Sequence, residues 1–124
     1  MTARFRHEHL PLLGMAERVV AAVRFPGDSD WFSGHFPGNP IVPGVALIAL
    51  AAEAVIERER GEGRPLAITG VRRVRFRLPV RPDDEVTLEA TRIPNPQGPA
   101  YAFTVCLAGE TVCSGVLTAA IIPS

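Results

Sequence analysis

The chain has 124 residues, 47% apolar and 21% charged, with thirteen Lys plus Arg against thirteen Asp plus Glu. That size and composition describe one globular domain and exclude a disordered chain, and zero net charge removes any general case for nucleic acid or an anionic membrane surface. Every basic residue is Arg, which excludes Schiff-base and lysine-nucleophile chemistry.

Residues 1–15 read as a leader without a secretion signal, so Cys106 and Cys113 are expected as cytosolic thiols and the protein as cytoplasmic. His7 and His9 have chelating spacing but no third ligand nearby, so no metal site is expected. The β-branched run RVVAAVRF (18–25) predicts a strand. Residues 25–44, FPGDSDWFSGHFPGNPIVPG, are dense in Pro and Gly, and an ordered irregular segment of that length is usually functional.

A helix is predicted over 44–60. Pro43 suits its start, Gly61 and Gly63 suit its end, and residues 45–56 are apolar except Glu53. Such a helix is expected to be wrapped by protein nearly all round, with 57–60 as a solvated tail. The longest apolar run, 41–52, is twelve residues, short of the roughly 17 a membrane span needs.

Four strands follow, over 67–80, 85–93, 101–107 and 111–122, with a turn at 94–99. In the first, Val74, Phe76 and Leu78 share one face and Arg73, Arg75 and Arg77 the other. A type II′ turn at Gly109 and Glu110 would set Cys106 opposite Cys113. The order gives an α+β fold, an antiparallel sheet wrapped around one central apolar helix.

The loop holds GHFPGNPIVPGV (34–45), and VRFRLPVRPDDEV (74–86) lies downstream. His35, stiffened by Pro37, Pro40 and Pro43, can exchange a proton near neutrality. At Gly44 the first helical amides have no internal partner, and with the helix dipole they can polarise a carbonyl. A structural His in a tight loop is the other reading of the same residues.

Both segments resemble the hot-dog-fold 3-hydroxyacyl-acyl-carrier-protein dehydratases, whose loop reads approximately GHFPGxPxMPGV and whose strand reads VKFRRPVxPGDxL. Val42 replaces the Met, and Asp83 stands where Gly is usual. The resemblance implies a hot-dog fold over roughly residues 16–122 and His35 as general base, its tautomer fixed by the Ile41 carbonyl. It also implies an oxyanion donor at Gly44. Phe32, Phe36, Ile41 and Val45 are expected at the acyl chain, with Trp31 lining or covering it. Arg73, Arg75 and Arg77, with Arg81 nearby, are expected to receive the carrier. The partners implied are an acyl carrier protein or acyl-CoA thioester and a second copy in a homodimer or an oligomer of dimers. No cofactor is expected, because phosphopantetheine arrives on the substrate.

One position departs from the family. A helix carboxylate normally stands fourteen residues after the His and works with it across the dimer interface, and here that position is Ala49. Glu53, one turn on, is the expected substitute acid if burial keeps it protonated, or else a structural partner of an Arg or the backbone. Three functions stay open at this point: dehydratase, hot-dog thioesterase, and a non-catalytic acyl-binding or partner subunit.

Overall fold

A computed structural model describes residues 7–9, 18–25 and 42–123. The strands are β1 (His7–His9), β2 (Arg18–Arg24), β3 (Leu66–Phe76), β4 (Glu85–Ile93), β5 (Ala100–Leu107) and β6 (Glu110–Ile121), and one helix, α1 (Gly44–Gly61), lies between β2 and β3. They form a six-stranded sheet in the order β1-β2-β4-β5-β6-β3, antiparallel at every pairing. Residues 7–9, read from sequence as part of a leader, instead pair with β2, His7 opposite Val23 and His9 opposite Ala21.

The alternation of side chains sets the layers. Val19, Ala21 and Val23 of β2 lie in register with Ala90, Leu88 and Val86 of β4, and Leu88 and Ala90 in turn with Val105 and Phe103 of β5. All are buried, and together with Cys113 and Leu117 of β6 they form one inner face. Against it α1 buries Ala46, Leu47, Leu50, Ala51, Ala54 and Val55. Pairs recurring at four-residue spacing make a helix stripe that fits a concave sheet.

The expectation that α1 is enclosed all round is corrected. Val45, Ala49, Glu53 and Glu57, each one turn from the last, are exposed on the side away from the sheet. Val45 and Ala49 make the start of that line look buried in the sequence, but a single sheet covers only one side of a helix.

Three further expectations change. β3 ends at Phe76 rather than at residue 80. Pro79 has no N–H for a ladder, and the chain turns so that Val80 is buried and its carbonyl accepts from the Val42 amide at 2.6 Å. Asp83, at the family's glycine position, has φ 66, the left-handed region that Gly occupies freely and Asp tolerates. The β5–β6 turn is closed by Leu107 opposite Glu110, so its two central residues are Ala108 (φ 51) and Gly109 (φ 84). Positive φ at both makes it type I′, not II′. A register shift after Val105 then sets Cys113 opposite Val105 and Cys106 opposite Thr111, so the cysteines do not pair across the hairpin. Burial pushes the Cys113 thiol up to about 11.

Ala108 carries a Cβ in a conformation that costs an L-residue roughly 1–2 kcal/mol. Ala108→Gly should therefore raise unfolding stability by about 1 kcal/mol in urea, with the denaturant slope unchanged.

Candidate active site

The candidate site lies at the N-terminus of α1. Pro43 precedes the helix in extended backbone (φ −60, ψ 144), no side chain caps the first turn, and no acidic residue lies within it. The first amides of such a helix point away from the axis end with no intrahelical acceptor. The Val42–Val80 hydrogen bond anchors the chain just before them, and the Ala46 amide closes on the Pro43 carbonyl at 2.9 Å. Phe76 packs over Gly44 so closely that a Cβ there would lie 2.7 Å from two ring carbons. Glycine at 44 is therefore needed for the ring to approach, and the first turn is held against the end of β3.

From this point the exposed line of α1 runs through Val45, 63% exposed, to Ala49 and Glu53. The three lie on one side of the helix, about 6 Å apart along its axis. The structure thus sets Val45, Ala49 and Glu53 along one side of α1, with Gly44 at its start. It does not bury Glu53, because that residue sits opposite the face packed on the sheet. His35, Phe32, Phe36, Ile41 and Trp31 lie outside the described residues.

The buried carboxylate of α1 is Glu59, which the sequence reading had placed in a solvated tail. It is 4% exposed. The Tyr101 hydroxyl donates to its Oε2 at 2.6 Å, Arg64 Nη2 donates to Oε1 at 3.0 Å, and Arg92 Nη1 stands 4.0 Å from Oε2. Burial by itself would raise this carboxyl. The hydrogen bonds from Arg64 and Tyr101 and the charges of Arg64 and Arg92 outweigh it and hold the group below its ordinary value. Burial, then the bond to the Glu59 carboxylate, pushes the Tyr101 phenol up. Beside it, Arg58 Nη1 donates to the Arg18 carbonyl at 3.1 Å. These contacts fasten the far end of α1 to β2, β4 and β5. The available signal was spacing: Leu47, Ala51 and Val55, read four residues further, arrive at Glu59.

The arginine row also differs from expectation. Arg72 pairs with Val116 and Arg75 with Ser114, so three residues of β3 span two of β6. That is a β-bulge, and Arg73 within it has φ 56. Arg73 therefore leaves the alternation, and Arg72 joins Arg75 on the outer face instead. Among the described residues no group of three or more His, Cys, Asp or Glu is placed to hold a metal ion, and no helix is long and apolar enough to cross a membrane.

Comparison with solved structures defines the class. A hypothetical thioesterase with coenzyme A from Streptococcus pneumoniae TIGR4 superposes with a TM-score of 0.77 at 14% identity, covering 100% of this chain and 92% of that one. The dehydratase heterocomplex ApeI:P from Xenorhabdus doucetiae gives a TM-score of 0.69 at 18% identity, covering 92% and 97%. At these identities the likeness concerns the fold alone, and the fold is the hot-dog fold.

Sequence relationships are narrower. The 3-hydroxyacyl-[acyl-carrier-protein] dehydratase FabZ of Oenococcus oeni is 36% identical over 107 residues, covering 82% of this chain and 76% of that protein. FabZ of Bacillus thuringiensis (strain Al Hakam) is 34% identical over 111 residues, covering 85% and 76%. The ApeI-like family, described as ApeI dehydratase, matches residues 14–116. This chain belongs to the ApeI-like dehydratase family.

The Glu59 cluster yields a stability prediction with a defined sign. A carboxyl held below 4.5 stabilises the fold above that pH, and the contribution is lost as pH falls through the lower folded value. Tyr101→Phe, which removes a hydrogen bond to a charged group, should cost about 2 kcal/mol at pH 7. The gap to the wild type should narrow below pH 4.5 as Glu59 protonates, measured by urea unfolding across pH.

Proposed function

We propose that this protein is a hydro-lyase that removes water from a 3-hydroxyacyl thioester carried on acyl carrier protein, leaving the 2-enoyl thioester. The observation that carries the reading is the 36% identity to a FabZ dehydratase across 82% of the chain, with GHFPG at 34–38 intact. His35 takes the proton from C2. The electron pair moves toward the thioester carbonyl, whose oxygen meets the Gly44 amide and the positive end of α1. The C3 hydroxyl then leaves as water, taking a proton from Glu53 or from a bound water. Phe32, Phe36, Ile41 and Val45 line the acyl chain. This acid–base chemistry calls for no added cofactor, the phosphopantetheine arm coming with the substrate. The cytoplasm suits the two free thiols.

A second copy completes the site in this reading. The exposed line Val45, Ala49 and Glu53 lies on the open side of α1, and Phe76 beside Gly44 is 54% exposed. Apolar surface at the mouth of a site is what a partner subunit covers.

Incubation with a 3-hydroxyacyl carrier-protein thioester, followed by mass spectrometry of the carrier, should show loss of one water. Loss of the whole acyl group would instead mean thioester hydrolysis, and an unchanged carrier would remove the enzymatic reading. His35→Ala should abolish turnover while leaving the thermal midpoint in place.

Ala49 supports a second reading, in which this chain is the acid-lacking partner of another hot-dog subunit. The two are separated by Ala49→Glu. On the dehydratase reading a carboxyl restored at 49 raises turnover about 10²- to 10⁴-fold. On the partner reading the homomeric protein stays inactive with either residue, and activity needs the second subunit.

A further inference from the structure

Two residues outside any strand or helix, Phe25 and Val42, flank the stretch of chain that contains His35. Both are buried, and both are tied to one short segment between β3 and β4. The Asp83 amide donates to the Phe25 carbonyl at 2.9 Å, and the Val80 carbonyl accepts from the Val42 amide at 2.6 Å. Residues far apart in the chain are thus held by one turn and its flank.

That segment is itself well anchored. Arg77 donates its amide to the Val112 carbonyl at 2.8 Å, and Val80 is buried. Residues 81–84 close on themselves: the Asp84 amide donates to the Arg81 carbonyl at 3.1 Å, and the Arg81 amide to Asp84 Oδ2 at 2.9 Å. Pro82 fixes φ near about −65° at the second position, and Asp83 has φ 66 at the third. That pair defines a type II turn. Types I and II differ by a flip of the central peptide, whose N–H here is that of Asp83. The bond to Phe25 therefore belongs to the form with positive φ at 83. Asp83 is exposed, so the position supplies backbone geometry rather than side-chain packing.

Val42 leads directly into the helix start. A residue before proline is confined to extended backbone, and Pro43 has φ −60 and ψ 144. The Gly44 nitrogen thus follows the Val42 anchor through a stiff link, and Phe76 closes on Gly44 from the other side. One stretch, 76–83, locates the first turn of α1 by a ring and a hydrogen bond, and Phe25 by a second hydrogen bond.

We infer that the turn at 81–84 is a positioning element for catalysis, with Asp83 as its determining residue. It sets the Gly44 amide through Val42, and it fixes the residues on either side of the chain that carries His35. The inference rests on the dehydratase reading. A base and an oxyanion donor act only at their productive separation, and misplacement by about 1 Å can cost about 10²-fold in rate.

The test compares kcat and KM on a 3-hydroxyacyl carrier-protein thioester, together with backbone amide NMR spectra, for the full chain and its variants. Asp83→Val disfavours positive φ and should flip the central peptide to type I. It should shift the Gly44 amide and lower kcat at least about tenfold with KM within about twofold, the pattern of a lost transition-state interaction. Asp83→Gly keeps the positive φ at no steric cost and should rescue both. Tyr101→Phe weakens the far end of α1 and should lower the thermal midpoint while kcat holds. Unchanged kcat in Asp83→Val, no rescue by glycine, or kcat that follows the thermal midpoint across Asp83→Val and Tyr101→Phe would overturn the inference. If Asp83→Val does not fold, Asp84→Ala, which removes the acceptor of the Arg81 amide, decides by the same kcat criterion. A wild type that forms no enoyl product removes the dehydratase reading instead, and an unmoved Gly44 amide in Asp83→Val then overturns the inference by itself.

Discussion

The structure depends on packing one side of α1 into the concave inner face of the sheet. Ala46, Leu47, Leu50, Ala51, Ala54 and Val55 supply the helix side, and Leu88, Phe103, Val105 and Leu117 are among the sheet residues that meet it in one buried cluster. Full burial of each larger side chain contributes roughly 1.5–3 kcal/mol, and the small alanines let the helix come close. The rest follows from this contact. The line Val45, Ala49 and Glu53 is left outward, and the helix start is brought beside Phe76 and the end of β3.

The two ends of α1 are held by different physics. At the start the hold is steric and backbone-based: a glycine under an aromatic ring, a proline with fixed φ, and one hydrogen bond to the Val80 carbonyl. The first amides of a helix have no intrahelical acceptor and no side-chain cap is made to them among the described residues, which is what a site for a developing negative charge requires. At the far end a carboxylate lies against the unfavourable pole of the helix dipole. It is tolerated there because Tyr101, Arg64 and Arg92 surround it. Charge is thus neutralised where α1 is anchored, and polarity remains open where chemistry is proposed.

The sheet serves two surfaces through one alternation. Its inner side packs α1, and its outer side gathers hydroxyls and guanidinium groups near the β5–β6 turn. The bulge of β3 against β6 decides which arginines reach that outer surface. A backbone defect of one residue therefore changes the electrostatics of a whole face.

Local chemistry determined much of this protein by itself. The hydrophobic periods marked α1 and the long strands, and the segments 34–45 and 74–86 carried the family relationship, because turn glycines, fixed prolines and alternating side chains act over a few residues. What the sequence alone did not decide concerns registers and sides. Glu59 and Glu53 look alike in the chain, yet one is enclosed by three partners and the other is exposed, since only the sheet's position distinguishes two sides of a helix rich in alanine. Likewise the bulge at Arg73 and the type I′ turn at Ala108 each place an ordinary residue at positive φ, a local penalty that only the surrounding ladder can hold. Side-chain period and turn chemistry are properties of the chain, whereas burial of a charge and the parity of a strand are set by what packs against it.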